Sequence, residues 1–298
     1  MIPIDIIDLQ FKNLDHAIAA YLIPTTDGPI LIETGPHSTF PVLKQAIEAK
    51  GFRLEDIKHV LLTHIHLDHA GAAWAFAETG AKIYVHPFGA RNIEDPNRLM
   101  ASARQIYQDQ MDSLWGEMKP IAKSQLVEVD HDEMLQFGDT QIKSLHTPGH
   151  AKHHIAWQLG DNIFTGDVAG VKIGNGPVQP PCPPPDINIE DWIDSIAIIS
   201  RQKPKRLYLT HFSYIENPEE HLGTLHKVLM SWSEFIHDKW KEGLTNEQII
   251  PLFQTYTTNQ LKAAGLSQVE IDQYEAANPT WMSVAGLVRY WTKKSQQA

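Results

Sequence analysis

Cysteine is almost absent. The 298 residues hold one, Cys182, which excludes an intramolecular disulfide and a thiolate-rich metal site. Basic residues are also scarce, with 25 Lys and Arg against 36 Asp and Glu and a net charge of −11. Nucleic-acid binding draws on clustered Lys and Arg, so this balance argues against a nucleic-acid partner. No apolar run is long enough for a membrane-spanning helix, and no membrane partner is expected. The N-terminus carries Asp5 and Asp8 where a signal peptide needs basic residues, so the expected location is cytoplasmic. Repeats and low-complexity tracts are missing. What remains is 42% hydrophobic and 20% charged, the composition of an ordinary folded globule with enough length for a full core. The excess lies in histidine, at 16 residues.

Apolar periodicity predicts strands over 2–7, 17–23, 30–33, 58–62 and 82–86, with helices over 41–50 and 70–78 between them. This alternation implies a layered α/β core. Residues 87–125 turn helical, with Leu99, Ala103, Ile106, Gln110 and Leu114 near one face, and are too long for a plain loop; they read as a helical insert. A second β block follows over 126–129, 134–137, 141–146, 154–159 and 162–165, with Gly138-Asp139 and Gly160-Asp161 as hairpin turns. The Gly- and Pro-rich stretch 170–186 predicts a surface loop. A helix over 190–201 and a last strand over 206–210 close the block. Residues 217–298 are helical, with breaks expected at Gly243, Gly265 and Pro279.

Thr63-His64-Ile65-His66-Leu67-Asp68-His69 places four metal-ligating side chains within six positions. In an extended segment His64, His66 and Asp68 project to one side. His69 joins them only if the chain bends, which Ala70-Gly71-Ala72 permits. Imidazole and carboxylate suit Zn²⁺, Fe or Mn.

This run resembles the THxHxDH signature of the metallo-β-lactamase superfamily. Further stations follow in order over residues 15 to 215. His146-Thr147-Pro148-Gly149-His150, Thr165-Gly166-Asp167 and Thr210-His211 resemble the segments carrying that family's remaining ligands, and Leu31-Ile32-Glu33-Thr34-Gly35 resembles its opening LIDTG. The resemblance implies a four-layer αββα sandwich, with the insert and a C-terminal helical extension added. The change to helix near residue 217 sets off a catalytic domain over 1–216 from helices over 217–298, which are expected to roof the site, form a homodimer, or both. The resemblance further implies two divalent metal ions, with Zn²⁺ expected and Fe or Mn as alternatives. His64, His66 and His150 would hold one ion, Asp68, His69 and His211 the other, and Asp167 would bridge them. Glu33 stands where the family usually has Asp, a residue that orients ligands rather than binding metal.

By the same resemblance the chain is a hydrolase that uses a metal-bridging hydroxide on an ester, thioester or lactone of a small molecule, similar to glyoxalase II-like thioesterases and to lactonases, in a less characterised bacterial subgroup. Asp68 would orient the nucleophile or protonate the leaving group. The alternatives are a phosphodiesterase, an iron-dependent oxidoreductase like the persulfide dioxygenases, and a metal-binding scaffold. His153 and His154 adjoin a ligand station; strand alternation would turn only one toward the site, and His154 is the candidate. Tyr107, Met111 and Trp115 of the insert are candidate pocket residues. The prolines at 180–185 read as a rigid surface connector, and Cys182 has no catalytic role.

Overall fold

The computed structural model describes residues 3–296. Met1, Ile2, Gln297 and Ala298, at the ends of the predicted first strand and C-terminal region, lie outside the described residues.

Strands β1 (Asp5–Asp8), β2 (Ala19–Ile23) and β3 (Ile30–Ile32) open the chain, and α1 (Phe40–Ala49) leads to β4 (His59–Leu61). The short helices α2 (Leu67–Ala70) and α3 (Ala73–Glu78) precede β5 (Lys82–Val85). The insert holds α4 (Pro87–Glu94), α5 (Asn97–Tyr107) and α6 (Met111–Leu114), and β6 (Leu126–Glu128) completes a six-stranded sheet in the order β1-β2-β3-β4-β5-β6. From β3 onward its pairs are parallel, as helical crossovers require. The second sheet runs through β7 (Met134–Phe137), β8 (Thr140–His146), β9 (Ile155–Leu159) and β10 (Asn162–Gly166). Helix α7 (Ile189–Arg201) crosses to β11 (Arg206–Leu209), parallel to β10, and β12 (Ser213–Ile215) pairs antiparallel at the edge.

Strands buried on both faces read as continuous apolar runs, and β2 and β3 have no exposed position. Their side chains nevertheless divide by period two. Leu22, Leu31 and Val60 face an outer core shared with α1, α3 and the insert. Tyr21, Ile32 and Leu61 face an inner core between the sheets with Trp157, Phe164 and Tyr208. On the far side, Ile163 and Leu207 of the second sheet meet α7 and the C-terminal helices. The result is the expected four-layer αββα sandwich. Fully burying each large apolar side chain contributes roughly 1.5–3 kcal/mol, and the Trp157 indole N–H ties the sheets by donating to the Leu62 carbonyl at 3.1 Å.

The C-terminal extension comprises α8 (Pro218–Lys241), α9 (Asn246–Ala263), α10 (Gln268–Ala277) and α11 (Thr280–Ser295). Thr245 with Gln248, and Ser267 with Glu270, form capping boxes. Gly243, Gly265 and Pro279 stand at the three breaks, as expected. No helix of the described residues is long and apolar enough to cross a membrane.

Three local expectations need correction. The insert does not continue one helical face to Leu114, because α5 stops at Gln108, whose φ is 47°. The Gly- and Pro-rich stretch is not a surface loop: Val171, Ile173, Gln179 and Cys182 are buried, and Val171 bridges Gln179. Its composition excludes regular structure but not burial, and Tyr274 of α10 covers it by taking the Ile173 N–H at 3.0 Å. Finally, β12 is a strand that its short sequence does not announce; pairing with β11 creates it.

Candidate metal centre

Loops leaving the ends of the strands meet at one edge of the sandwich, where such folds collect functional side chains. Glu33 follows β3, Thr63 to His69 follow β4, His150 lies between β8 and β9, Asp167 follows β10 and His211 follows β11. The bend that His69 requires is the start of α2, with His66 as its N-cap. The TGD turn also depends on Gly166. Its φ is 49°, and a Cβ there would lie 2.5 Å from the Thr63 hydroxyl and 2.6 Å from His154 Nε2.

The seven predicted ligand side chains converge in two sets. His64 Nε2 and His150 Nε2 lie 2.9 and 3.1 Å from His66 Nδ1. Asp68 Oδ2 lies 3.7 Å from His69 Nε2 and 3.5 Å from His211 Nε2. Asp167 spans them: Oδ2 is 3.3 Å from His150 Nε2, while Oδ1 is 3.2 Å from His69 Nε2 and 3.4 Å from His211 Nε2.

Hydrogen bonds behind the rings decide which nitrogen carries a lone pair. His69 Nδ1–H donates to Glu33 Oε1 at 3.0 Å, His150 Nδ1–H to the Pro181 carbonyl at 2.8 Å, and His211 Nδ1–H to the Ala17 carbonyl at 2.6 Å. His64 Nδ1–H reaches the Thr63 hydroxyl at 3.0 Å, and that hydroxyl donates in turn to Glu33. Each of these rings therefore points an Nε2 lone pair at the centre. His69 Nε2, His211 Nε2 and Asp167 Oδ1 are buried without a hydrogen-bond partner among the described residues. Lone pairs brought this close repel unless a proton or a cation lies between them.

Protons meet the need unevenly. Burial, reinforced by His69, His66 and His150, holds His64 well below the ordinary imidazole range. Burial and His150 hold His66 near about 3. Burial also opposes charge on His69, but Asp167, Glu33 and Asp68 outweigh it and hold that ring well above its usual range. Asp68 resists burial through His69 and His211 and is lowered to about 2. The His64–His66–His150 set thus rejects protons while presenting three nitrogen donors, which suits a divalent cation.

Glu33 is fully buried at φ 65°. Besides His69 and Thr63 it accepts the Thr210 hydroxyl at 3.3 Å. His154 accepts the Asp167 N–H through Nε2 at 3.3 Å, and its Nδ1 meets the Thr147 hydroxyl at 2.8 Å. The expectation that only one of the paired histidines faces the site is wrong. Both precede β9, so strand alternation does not govern them, and the rings of His153 and His154 lie 6.1 and 5.2 Å from that of His64. Sequence reasoning also missed a second trio, His86, Asp130 and His146, with donor atoms within 4.8 Å. Its chemistry differs: His86 Nδ1 accepts the Phe88 N–H, so the ring proton sits on Nε2, the atom 3.7 Å from Asp130 Oδ1. The proton makes Nε2 a donor, not a ligand.

A cavity of about 790 Å³ opens onto His66, Asp68 and Asp167. The insert contributes Tyr107 and Trp115, the α10–α11 junction contributes Trp281 and Met282, and Pro181 and Pro183 form another wall. The prolines are therefore cavity lining, not a surface connector. Met111 packs in the outer core beneath, and does not line the cavity. Cys182 is buried, and burial pushes its thiol far up, consistent with no catalytic role.

Comparison with known proteins gives concordant results. The family model described as the Metallo-beta-lactamase superfamily matches residues 15–211. A metallo-beta-lactamase fold-containing protein of Sulfurisphaera tokodaii is 29% identical over 180 residues, 57% of this chain and 66% of that protein. An N-acyl homoserine lactonase of a Bacillus species is 26% identical over 164 residues, 47% of this chain and 57% of the lactonase. The chain thus spans less than two thirds of either curated relative. The crystal structure of a metallo-beta-lactamase family protein from Thermus thermophilus superposes with a TM-score of 0.68 at 16% identity, covering 98% of this chain and 94% of that one. That likeness is one of fold, and it takes in the C-terminal helices.

Proposed function

The chain belongs to the metallo-β-lactamase superfamily, and from the side chains gathered at its sheet edge we propose that it is a dinuclear metal-dependent hydrolase of an ester, thioester or lactone bond in a small molecule. One observation carries this reading. Buried imidazole lone pairs, fixed by hydrogen bonds behind each ring, converge with two carboxylates, and several of these atoms have no protein partner. His64, His66 and His150 would hold one ion, Asp68, His69 and His211 the other, and Asp167 would offer one oxygen to each. Zn²⁺ fits the nitrogen and oxygen donors. Two such cations lower the pKa of a shared water toward neutrality and polarise a scissile carbonyl.

The remaining work falls to the chain. Glu33, Pro181 and Ala17 fix the ring tautomers, so the donors are preorganised before metal arrives. His154 holds the Asp167 backbone. Asp68, with 22% of its side chain exposed toward the cavity, is placed to orient the nucleophile or to hand a proton to the leaving group. The insert and the C-terminal helices roof the site and exclude bulk water, and relatives that include a named lactonase support hydrolysis.

Metal analysis of the protein, paired with ester, thioester, lactone and phosphodiester panels, tests the reading. Two divalent ions per chain with acyl-bond turnover is the expected result. A single iron with O₂ consumption, or bound metal with no turnover on any panel, would overturn it.

A further inference from the structure

We infer that the cavity over the metal centre takes an uncharged, apolar alkyl or aryl group of the substrate, and that the Tyr107 hydroxyl donates a hydrogen bond to an oxygen of that substrate. This deepens the hydrolase reading and rests on it. At about 790 Å³ the cavity lies in the range of sites that enclose a whole small molecule, far more than an acetyl group fills. Its lining includes Tyr107, Trp115, Trp281, Met282 and prolines 181 and 183, and apolar surface exceeds polar surface. Charge is sparse and of the wrong sign for an anion. Lys12 is the one cationic side chain among the described lining residues, and it is exposed, as is Asp109. Glu275 is already engaged as the cap of α11, accepting the Thr280 hydroxyl at 2.6 Å and the Thr280 N–H at 3.1 Å. A carboxylate or phosphate at the end of the group remote from the candidate metal centre would lose water without gaining a buried cationic side chain.

Tyr107 supplies polarity in this wall. Its ring packs edge-on against Trp115 at 5.1 Å and Trp281 at 6.1 Å. Among the described residues its hydroxyl has only the Met282 sulfur, at 3.4 Å, as acceptor. A thioether is a weak acceptor, so a substrate oxygen would displace it. The ring lines the same cavity as Asp68, and the Asp68 charge joins burial in keeping the phenol protonated.

The test uses the zinc-loaded protein and p-nitrophenyl esters from acetate to hexanoate. Each buried methylene favours binding by about fourfold; allowing for partial burial, kcat/KM should rise at least tenfold across the series. The matched pair of p-nitrophenyl pentanoate and mono-p-nitrophenyl glutarate should differ at least tenfold in favour of the neutral ester. Tyr107→Phe should lower kcat/KM about tenfold while leaving the chain-length slope intact, since the ring stays; a purely structural role would flatten the slope instead. Binding is read independently of turnover by calorimetric titration with acetate, hexanoate and glutarate, hexanoate being expected to bind tightest. A flat series, equal use of the glutarate ester, or an unaltered Tyr107→Phe enzyme would overturn the inference and leave the hydrolase reading standing. Absence of all acyl turnover would remove the hydrolase reading, and the calorimetric order would then decide the cavity's preference alone.

Discussion

Glu33→Asp restores the residue usual at this station, yet it should damage this protein. Removing one methylene retracts the carboxylate by about 1.5 Å. The 3.0 Å bond from His69 Nδ1–H then exceeds hydrogen-bond reach, and the Thr63 and Thr210 hydroxyls lose a shared acceptor. One charge-assisted bond is worth roughly 1.5–3 kcal/mol and each neutral one roughly 0.5–1.5 kcal/mol. Some of these groups re-pair, so the net loss should be about 2–4 kcal/mol. With an unfolding entropy of about 2.1 cal/mol/K per residue over 298 residues, Tm should fall by about 3–6 °C. Because Glu33 fixes His69 directly and His64 through Thr63, it orients one ligand in each set. Metal affinity at either set should weaken about 10–100-fold. Glu33→Gln keeps the reach but gives up the charge that strengthens the His69 bond and the weak 3.4 Å bond from the Thr63 N–H, so it should be the milder change. Differential scanning calorimetry of metal-free protein and chelator competition for Zn²⁺ give the two numbers. If Glu33→Asp matched the parent in both, the claim that reach sets this station would be wrong.

Three other changes probe the centre and one its support. Asp167→Ala removes both oxygens that link the two sets; mass spectrometry should show the loss of at least one metal ion, with turnover down more than about 100-fold. Asp68→Asn should slow single-turnover ester cleavage, and full rate with both metals retained would remove its proposed role. Chelation should lower Tm, and returning Zn²⁺ at about 1,000 times its dissociation constant should restore about 4 kcal/mol per site. Gly286→Ala would place a Cβ 1.9 Å from the Cys182 carbonyl oxygen; it should destabilise by at least about 1–3 kcal/mol and weaken metal affinity as well.

The convergence of the candidate ligand side chains was legible because the first run is dense and local. His64 to His69 packs four donors into one turn of chain, and the later stations each end a strand whose apolar period marks it. The alternation of strands and helices pointed to a layered core, the four-layer order came from the family resemblance, and the division of Leu22 and Tyr21 between outer and inner cores emerges only in the structure. What escaped depends on distant partners. Burial of Val171 and Ile173 comes from helices more than 80 residues later. The inward turn of both His153 and His154 depends on where β9 begins, a boundary one residue wide. Nothing local to Gln108 marks the stop of α5. The left-handed backbone at Glu33 was likewise invisible.

The C-terminal helices reach the candidate metal centre through a chain of contacts that the sequence does not display. Gly286 lets α11 lie against the Cys182 carbonyl, and Ser283 accepts the Cys182 N–H at 3.3 Å. Cys182 follows Pro181, whose carbonyl sets His150 at 2.8 Å. Helix α11 therefore positions the backbone acceptor that fixes the tautomer of one ligand. Met282 and Trp281, from the first turn of the same helix, meet Tyr107 of the insert across the cavity. One element thus buttresses His150 from behind and shapes the space in front of it. A loss of packing along α11 should therefore register twice, in metal affinity and in the choice of what the cavity holds.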